Sequence, residues 1–142
     1  MFDSSHIHPM LVHFPIALIL LGVLFSGIHL YKPNKFPYPC GEFILYFGTL
    51  AAILAAFSGS EFALDFTNPI LKDAKNIHST FAGITVFLLC ATTVLYLGGR
   101  FITKYSWRFY HIGFLFYILS ALSVSITGFL GGVLVYNDLL KL

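Results

Sequence analysis

The sequence predicts an all-α membrane protein with four transmembrane helices in an up-down-up-down bundle. Three observations carry this reading. Of the 142 residues, 58% are hydrophobic and only 10% are charged, with a mean hydropathy of +0.85. Four apolar runs are each long enough to cross a bilayer, and the connectors between them are short and rich in turn residues. A soluble domain carries about 25% charged residues and about 45–50% apolar ones. A chain this poor in charge cannot cover the large polar surface that a small soluble fold exposes. Disorder fails on the same count, because disordered chains are rich in charge and poor in apolar residues. Eight Lys/Arg against six Asp/Glu give a net charge of +2. With no basic cluster to meet phosphates, nucleic acid is not an expected partner.

The runs extend over about 9–31, 43–66, 76–98 and 109–136, within one domain spanning 1–142. Each exceeds the roughly 20 apolar residues that cover the hydrocarbon core. Barrel strands would alternate apolar and polar positions, whereas these runs are apolar throughout, so helices are expected. Lys32-Pro33-Asn34-Lys35-Phe36-Pro37-Tyr38-Pro39 breaks the first from the second, since proline lacks an N–H and restricts the residue before it. Thr67-Asn68-Pro69 is expected to end the second helix, and Gly98-Gly99-Arg100 the third. Connectors of this length favour antiparallel neighbours. Met1-Phe2-Asp3-Ser4-Ser5 has no basic stretch and no small-residue cleavage site follows the first run, so the first helix is expected to remain in the mature protein. Cys40 and Cys90 show no metal spacing and are expected to be free thiols.

Gly48, Ala52, Ala56 and Ser60, the row Ala51, Ala55 and Gly59, and the pair Gly128/Gly132 are expected to let helices approach closely. Tyr31, Tyr38, Trp107, Tyr110 and Tyr136 form an interfacial belt.

Six histidines in so apolar a chain are the candidate functional residues, because ionisable groups at membrane depth are expensive and are usually retained for function. His6, His8, His13 and His78 fall on the side of the N-terminus (side A), while His29 and His111 fall on the opposite side (side B). Glu61 and Asp65 reach side A at the end of the second run. Pro15 removes one N–H from the ladder and is expected to kink the first helix so that His13 turns inward. Three readings follow. Haem b needs two imidazoles from different helices at similar depth, which His13 and His78 supply, with Phe14, Phe62, Phe66 and Phe81 to pack on the macrocycle. A metal ion could instead draw on His8, His13, His78 and Glu61. The plainest alternative is hydrogen bonding at the water boundary. A second haem on His29 and His111 is disfavoured: His13 and His29 are 16 residues apart, which is about 160° around one helix.

His8-Pro9-Met10-Leu11-Val12-His13-Phe14-Pro15-Ile16-Ala17-Leu18 resembles the opening signature of the domain of unknown function 2231 family, four-helix bacterial membrane proteins. Thr127-Gly128-Phe129-Leu130-Gly131-Gly132-Val133-Leu134-Val135-Tyr136 is similar to that family's Gly-rich fourth helix, and His78 fits its pattern. The resemblance covers essentially the whole chain. It implies a redox setting at the outer face, since relatives can be joined to Rieske-type or cytochrome c-type domains, and it carries over His8, His13 and His78 as pattern positions. The expected function is electron transfer in the cell inner membrane, as a small b-type cytochrome or a subunit of a respiratory or photosynthetic complex. His13 and His78 would be axial ligands with His8 in reserve, and a periplasmic redox protein or other subunits would be the partners. The alternatives are a cofactor-free structural subunit and a His/carboxylate metal-binding membrane protein. No nucleophile–base pair, phosphate loop or zincin motif points to a stand-alone enzyme.

Lys32, Lys35, Arg100, Lys104 and Arg108 lie on side B, against Lys72, Lys75 and Lys141 on side A, and this excess of positive charge predicts a cytoplasmic side B with both termini periplasmic. Single cysteines at position 4 and within 33–38, probed with an impermeant thiol reagent, should label from outside at position 4 only. Labelling of the loop but not of position 4 reverses the orientation.

Overall fold

The computed structural model describes residues 7–32, 39–62, 66–102, 104 and 106–140, without the side chains of residues 7, 39, 62 and 138–140. These residues form α1 (Ile7–Tyr31), α2 (Pro39–Phe62), α3 (Pro69–Phe101) and α4 (Ser106–Leu140). All four contain spans apolar and long enough to cross a membrane. The four-helix membrane architecture expected from the sequence is the one observed.

Helix boundaries depart from expectation where proline acts as an initiator. Pro39 opens α2, four residues before the apolar run, and brings Glu42 into its first turn. Proline suits that position because its missing N–H would have had no intrahelical partner. Pro69 does the same for α3, with Asn68 as N-cap: the Asn68 side chain accepts from the Ile70 N–H at 3.0 Å. Residues expected to terminate one helix therefore start the next. α3 has 33 residues and spans about 50 Å, well beyond a ~30 Å hydrocarbon core. Its first two turns carry the exposed Lys72 and Asp73, charges that are costly in hydrocarbon and suit a headgroup zone. At its other end the Ile102 N–H closes onto the Gly98 carbonyl at 2.8 Å.

The helices form a ring in which α1 packs most extensively on α2 and α3 on α4. The seams α1–α4 and α2–α3 join these two hairpins, and the diagonal pairs hardly touch. Each helix turns one stripe inward. On α1 the stripe is Pro15, Ile19, Gly22 and Ser26; on α3 it is Thr85, Leu89, Thr92, Tyr96 and Gly99. Ile19, Leu45, Leu89 and Tyr117 are fully buried at the centre. The large apolar side chains Leu20, Leu24, Phe43, Phe47, Phe87 and Phe129 face outward, as a lipid-solvated surface allows. The interior is correspondingly rich in hydroxyls. Thr85 Oγ1 and Ser123 Oγ meet at 2.9 Å across α3–α4, and Thr49 and Thr93 meet at 3.2 Å across α2–α3. Thr49, Thr85 and Thr92 also donate to carbonyls one turn back, which satisfies each hydroxyl within its own helix. Cys40 and Cys90 are free thiols.

The small-residue seam on α2 is real but rotated from the expected rows: Gly48, Ala52 and Ala55 are buried, whereas Ser60 is exposed and Ala51, Ala56 and Gly59 are half-buried. On α1 the closest approach is at Gly22, where a Cβ would collide with the Tyr117 hydroxyl and lie 2.8 Å from its ring carbon Cζ. That hydroxyl is buried with no hydrogen-bond partner among the described residues. Gly22→Ala should therefore destabilise the protein by about 1–3 kcal/mol, the scale of overpacking. Tyr117→Phe should be nearly neutral, because it removes a polar atom that makes no bond, and should recover part of the Gly22→Ala loss. Thermal unfolding of the three variants in one detergent measures this; equal stability of all three would refute the close contact.

Candidate functional site

The side A end of the bundle carries the site, and all four helices contribute to it. His8 begins the inner stripe of α1, seven residues before Pro15. His78 begins that of α3, seven residues before Thr85. Both rings are half-buried and meet across the bundle diagonal, with centroids 6.3 Å apart and planes at 89°. His78 donates from Nδ1 to the Thr127 carbonyl of α4 at 2.9 Å. His8 Nδ1 lies 2.8 Å from Ser58 Oγ on α2. Ser58 gives its own proton to the Ala55 carbonyl at 2.8 Å, so its oxygen accepts from His8 Nδ1–H. Both imidazoles are thereby fixed as Nδ1–H tautomers, and both present the Nε2 lone pair. This is the arrangement found around metal-ligating histidines, whose second nitrogen donates to a carbonyl or other fixed acceptor.

Two glycines make room for the rings. A Cβ at Gly59 would lie 2.9 Å from His8 Cε1, and one at Gly131 would lie 3.1 Å from His78 Cε1. At Gly132, by contrast, the space is open, and a Cβ at Gly128 would meet only Ile16. Gly131, rather than either member of the Gly128/Gly132 pair, is the residue that accommodates His78.

The structure brings together His8 and His78 and leaves His13 outside. His13 is exposed, with Nδ1 at 2.7 Å from the Pro9 carbonyl one turn back. The reason is angular. Five residues turn a helix by about 140°, so the face that turns His8 inward turns His13 outward. α1 is assigned as one helix through Pro15, and His13 is not re-aimed. Phe14 is exposed as well, while Phe66 and Phe81 are half-buried. Glu61 is exposed. His6 and Asp65 lie outside the described residues, as does the side chain of Phe62. No group of three or more His, Cys, Asp or Glu that could hold a metal ion occurs among the described residues. On side B, His111 is exposed, with Nδ1 2.7 Å from the Trp107 carbonyl and its ring edge-on to Trp107. His29 is half-buried there and lines a small pocket with Ser26, Leu30 and Tyr96.

The residues that sequence reasoning missed are Ser58 and Thr127, which hold the imidazoles. A serine in an alanine-rich helix that also carries Ser60 has no signal by itself. Its signal is positional, because Ser58 follows Ala55 and precedes Gly59 on the buried face of α2.

Ser58→Ala should leave His8 Nδ1–H without its acceptor and cost about 1–3 kcal/mol, the penalty of an unsatisfied buried donor. Gly59→Leu should cost at least as much by displacing the ring, while Gly132→Ala should be silent. Denaturant or thermal unfolding checks the order; if Gly132→Ala proves as damaging as Gly59→Leu, the glycine assignment is wrong.

No curated protein and no solved structure matches the chain. A family model described as predicted membrane protein (DUF2231) matches residues 4–141, nearly the whole of the sequence. The four apolar helices and this match agree, and the chain belongs to that family of predicted membrane proteins.

Proposed function

We propose that the chain is an integral-membrane electron-transfer protein whose centre is a b-type haem iron held by His8 and His78. The observation that carries this reading is the pairing of two imidazoles, fixed in the same tautomer, across the bundle diagonal at 6.3 Å. With metal–nitrogen bonds of about 2 Å, that separation would let both imidazoles donate to one metal ion. The number of donors discriminates between ligands. Structural zinc takes four protein ligands and catalytic zinc three, whereas a bis-imidazole haem iron asks the protein for two. The described residues converge two, and His13 and Glu61 do not join them. The glycine cradles at Gly59 and Gly131 support the same reading, since they keep side chains away from both rings.

When bound, haem supplies one-electron chemistry at a potential that the surrounding protein tunes. The chain's own residues orient the donors. Ser58 and the Thr127 carbonyl hold the ring N–H groups, prevent rotation of the imidazoles and raise their basicity. The half-buried Phe66 and Phe81 belong to the same end. In this reading the protein sits in the cell inner membrane with side A periplasmic, supported by the Lys/Arg excess on side B. Its partner is a periplasmic redox protein or another subunit of a respiratory or photosynthetic complex.

A reduced-minus-oxidised spectrum of protein made with ample haem should show low-spin haem b. His8→Ala and His78→Ala should each abolish it, and His13→Ala should leave it intact. A wild-type spectrum without Soret absorbance overturns the cytochrome reading, and retention of the signal in His8→Ala overturns the ligand pair.

A further inference from the structure

The opposite end of the bundle holds a second polar cluster, built around a carboxyl. Glu42, in the first turn of α2, is only 2% exposed. Its Oε2 accepts from Arg100 Nη1 at 3.3 Å and, at the outer limit of hydrogen bonding, from the Tyr46 hydroxyl at 3.5 Å. Its Oε1 is buried with no hydrogen-bond partner among the described residues, and so is the Ser26 hydroxyl. Arg100 itself is 61% exposed in its side chain, so the one guanidinium that pairs with the carboxyl is largely outside the site.

Ser26 belongs to the same cluster. It faces Gly41, the residue before Glu42, so closely that a Cβ there would lie 2.5 Å from Ser26 Oγ and 3.1 Å from the Ser26 backbone nitrogen. Ser26 also lines the small pocket with His29, Leu30 and Tyr96, which has room for about one water molecule. His29 and Tyr96 are within electrostatic reach of Glu42. The groups acting on the carboxyl are thus His29 from α1, Tyr46 from α2, and Arg100 and Tyr96 from α3, with Ser26 of α1 packed against the preceding residue, Gly41. Tyr110 of α4 closes the cluster edge-on to Tyr96 at 5.4 Å.

A buried carboxylate is tolerated where each of its oxygens is bonded and its charge is matched. Here one oxygen has no bond, and the matching cation sits in the outer layer. Ser26, His29 and Tyr96, which are grouped with the carboxyl, line a pocket with room for about one water, and a water there would supply a proton carrier. We propose that Glu42 is a proton-exchange site, taking up and releasing a proton between its Oε1 and side B water by way of the Ser26–His29–Tyr96 pocket. On uptake, an O–H bond forms at Oε1 as a water held in the pocket gives up one proton and takes another from side B water, so that the relay is left neutral. On release, the same bond breaks and the proton returns along the same route, with no change of oxidation state. The site does not depend on haem, and its test is independent of the side A reading.

Infrared difference spectra of the purified full-length protein in lipid, taken between alkaline and acidic pH, provide that test. Wild-type protein should show the carbonyl stretch of a protonated carboxylic acid at the high-frequency edge expected of a site shielded from water, and the band should shift down in D2O. Glu42→Gln should lose that band, whereas Glu61→Gln, at an exposed position, should keep it. Arg100→Gln should extend the band to higher pH, because removing the adjacent positive charge favours the neutral acid; this comparison holds even if Glu42→Gln folds poorly. His29→Leu should slow the D2O shift. A Glu42→Gln spectrum that superimposes on wild type, or an Arg100→Gln band unchanged in its pH range, overturns the proposal. Unaltered exchange in His29→Leu overturns the route.

Discussion

The lipid interior offers no hydrogen bonds, and every polar group placed there has to find its partner within the bundle. That constraint organises this protein more than hydrophobic burial does. The outer faces of the helices are the apolar ones, so apolar contact alone gives them little reason to associate. Close packing at small residues and satisfaction of interior hydroxyls do that work. Thr85–Ser123 and Thr49–Thr93 cross helix boundaries where a Leu–Leu pair would have been equally happy in lipid. The exceptions to satisfaction therefore stand out. Glu42 Oε1, Ser26 Oγ and Tyr117 Oη are the buried side-chain atoms without a hydrogen-bond partner among the described residues, and two of the three belong to the side B cluster.

Much of this organisation can be read in the sequence, and the limits are physical ones. Apolar run length fixes the number of spans because hydrocarbon thickness is a hard length. Helix starts are less legible, since a proline reads equally as a breaker and as a first-turn residue. Pro39 and Pro69 are the second kind, and only the cap made by Asn68 distinguishes them. The histidine pair is half legible: the count of spans brings His78 to side A, but depth along α1 does not separate His8 from His13, and the angle around the helix does. Counting by sevens from Gly22 through Pro15 arrives at His8, and the same count on α3 runs from Thr92 through Thr85 to His78. Once those stripes are known to be buried, the count places His8 and not His13 on the inner face. Glu42 was hidden differently. It stands just before an apolar run, where a charge looks like the end of a span, and Arg100 entered only as a vote on orientation.

The two ends differ in how their polar groups are held. On side A each ring N–H has a fixed acceptor from a neighbouring helix, so His8 is tied to α2 and His78 to α4. On side B the carboxyl is held by a long ion pair with an exposed arginine and a long hydrogen bond from Tyr46, and the small pocket nearby has room for about one water. A rigid pair of nitrogens suits a centre whose geometry must persist, whereas a loosely held carboxyl suits a group that changes its state. Fixed donors at one end and a labile one at the other give the bundle a polarity that its apolar surface conceals.

The division of the ring into two hairpins bears on how the molecule comes into being. α1–α2 and α3–α4 pack closely within themselves, and each forms a helical hairpin. Each histidine is held by its own hairpin: His8 by Ser58 in the first, His78 by the Thr127 carbonyl in the second. Neither half contains both. The pair comes into existence only when the finished halves dock, so any ligand that bridges it binds the assembled protein and not its parts. By mass action such a ligand would hold the halves together. Loading of the site would then also serve as a quality check on biogenesis, separating completed molecules from hairpins that had inserted but not yet found each other.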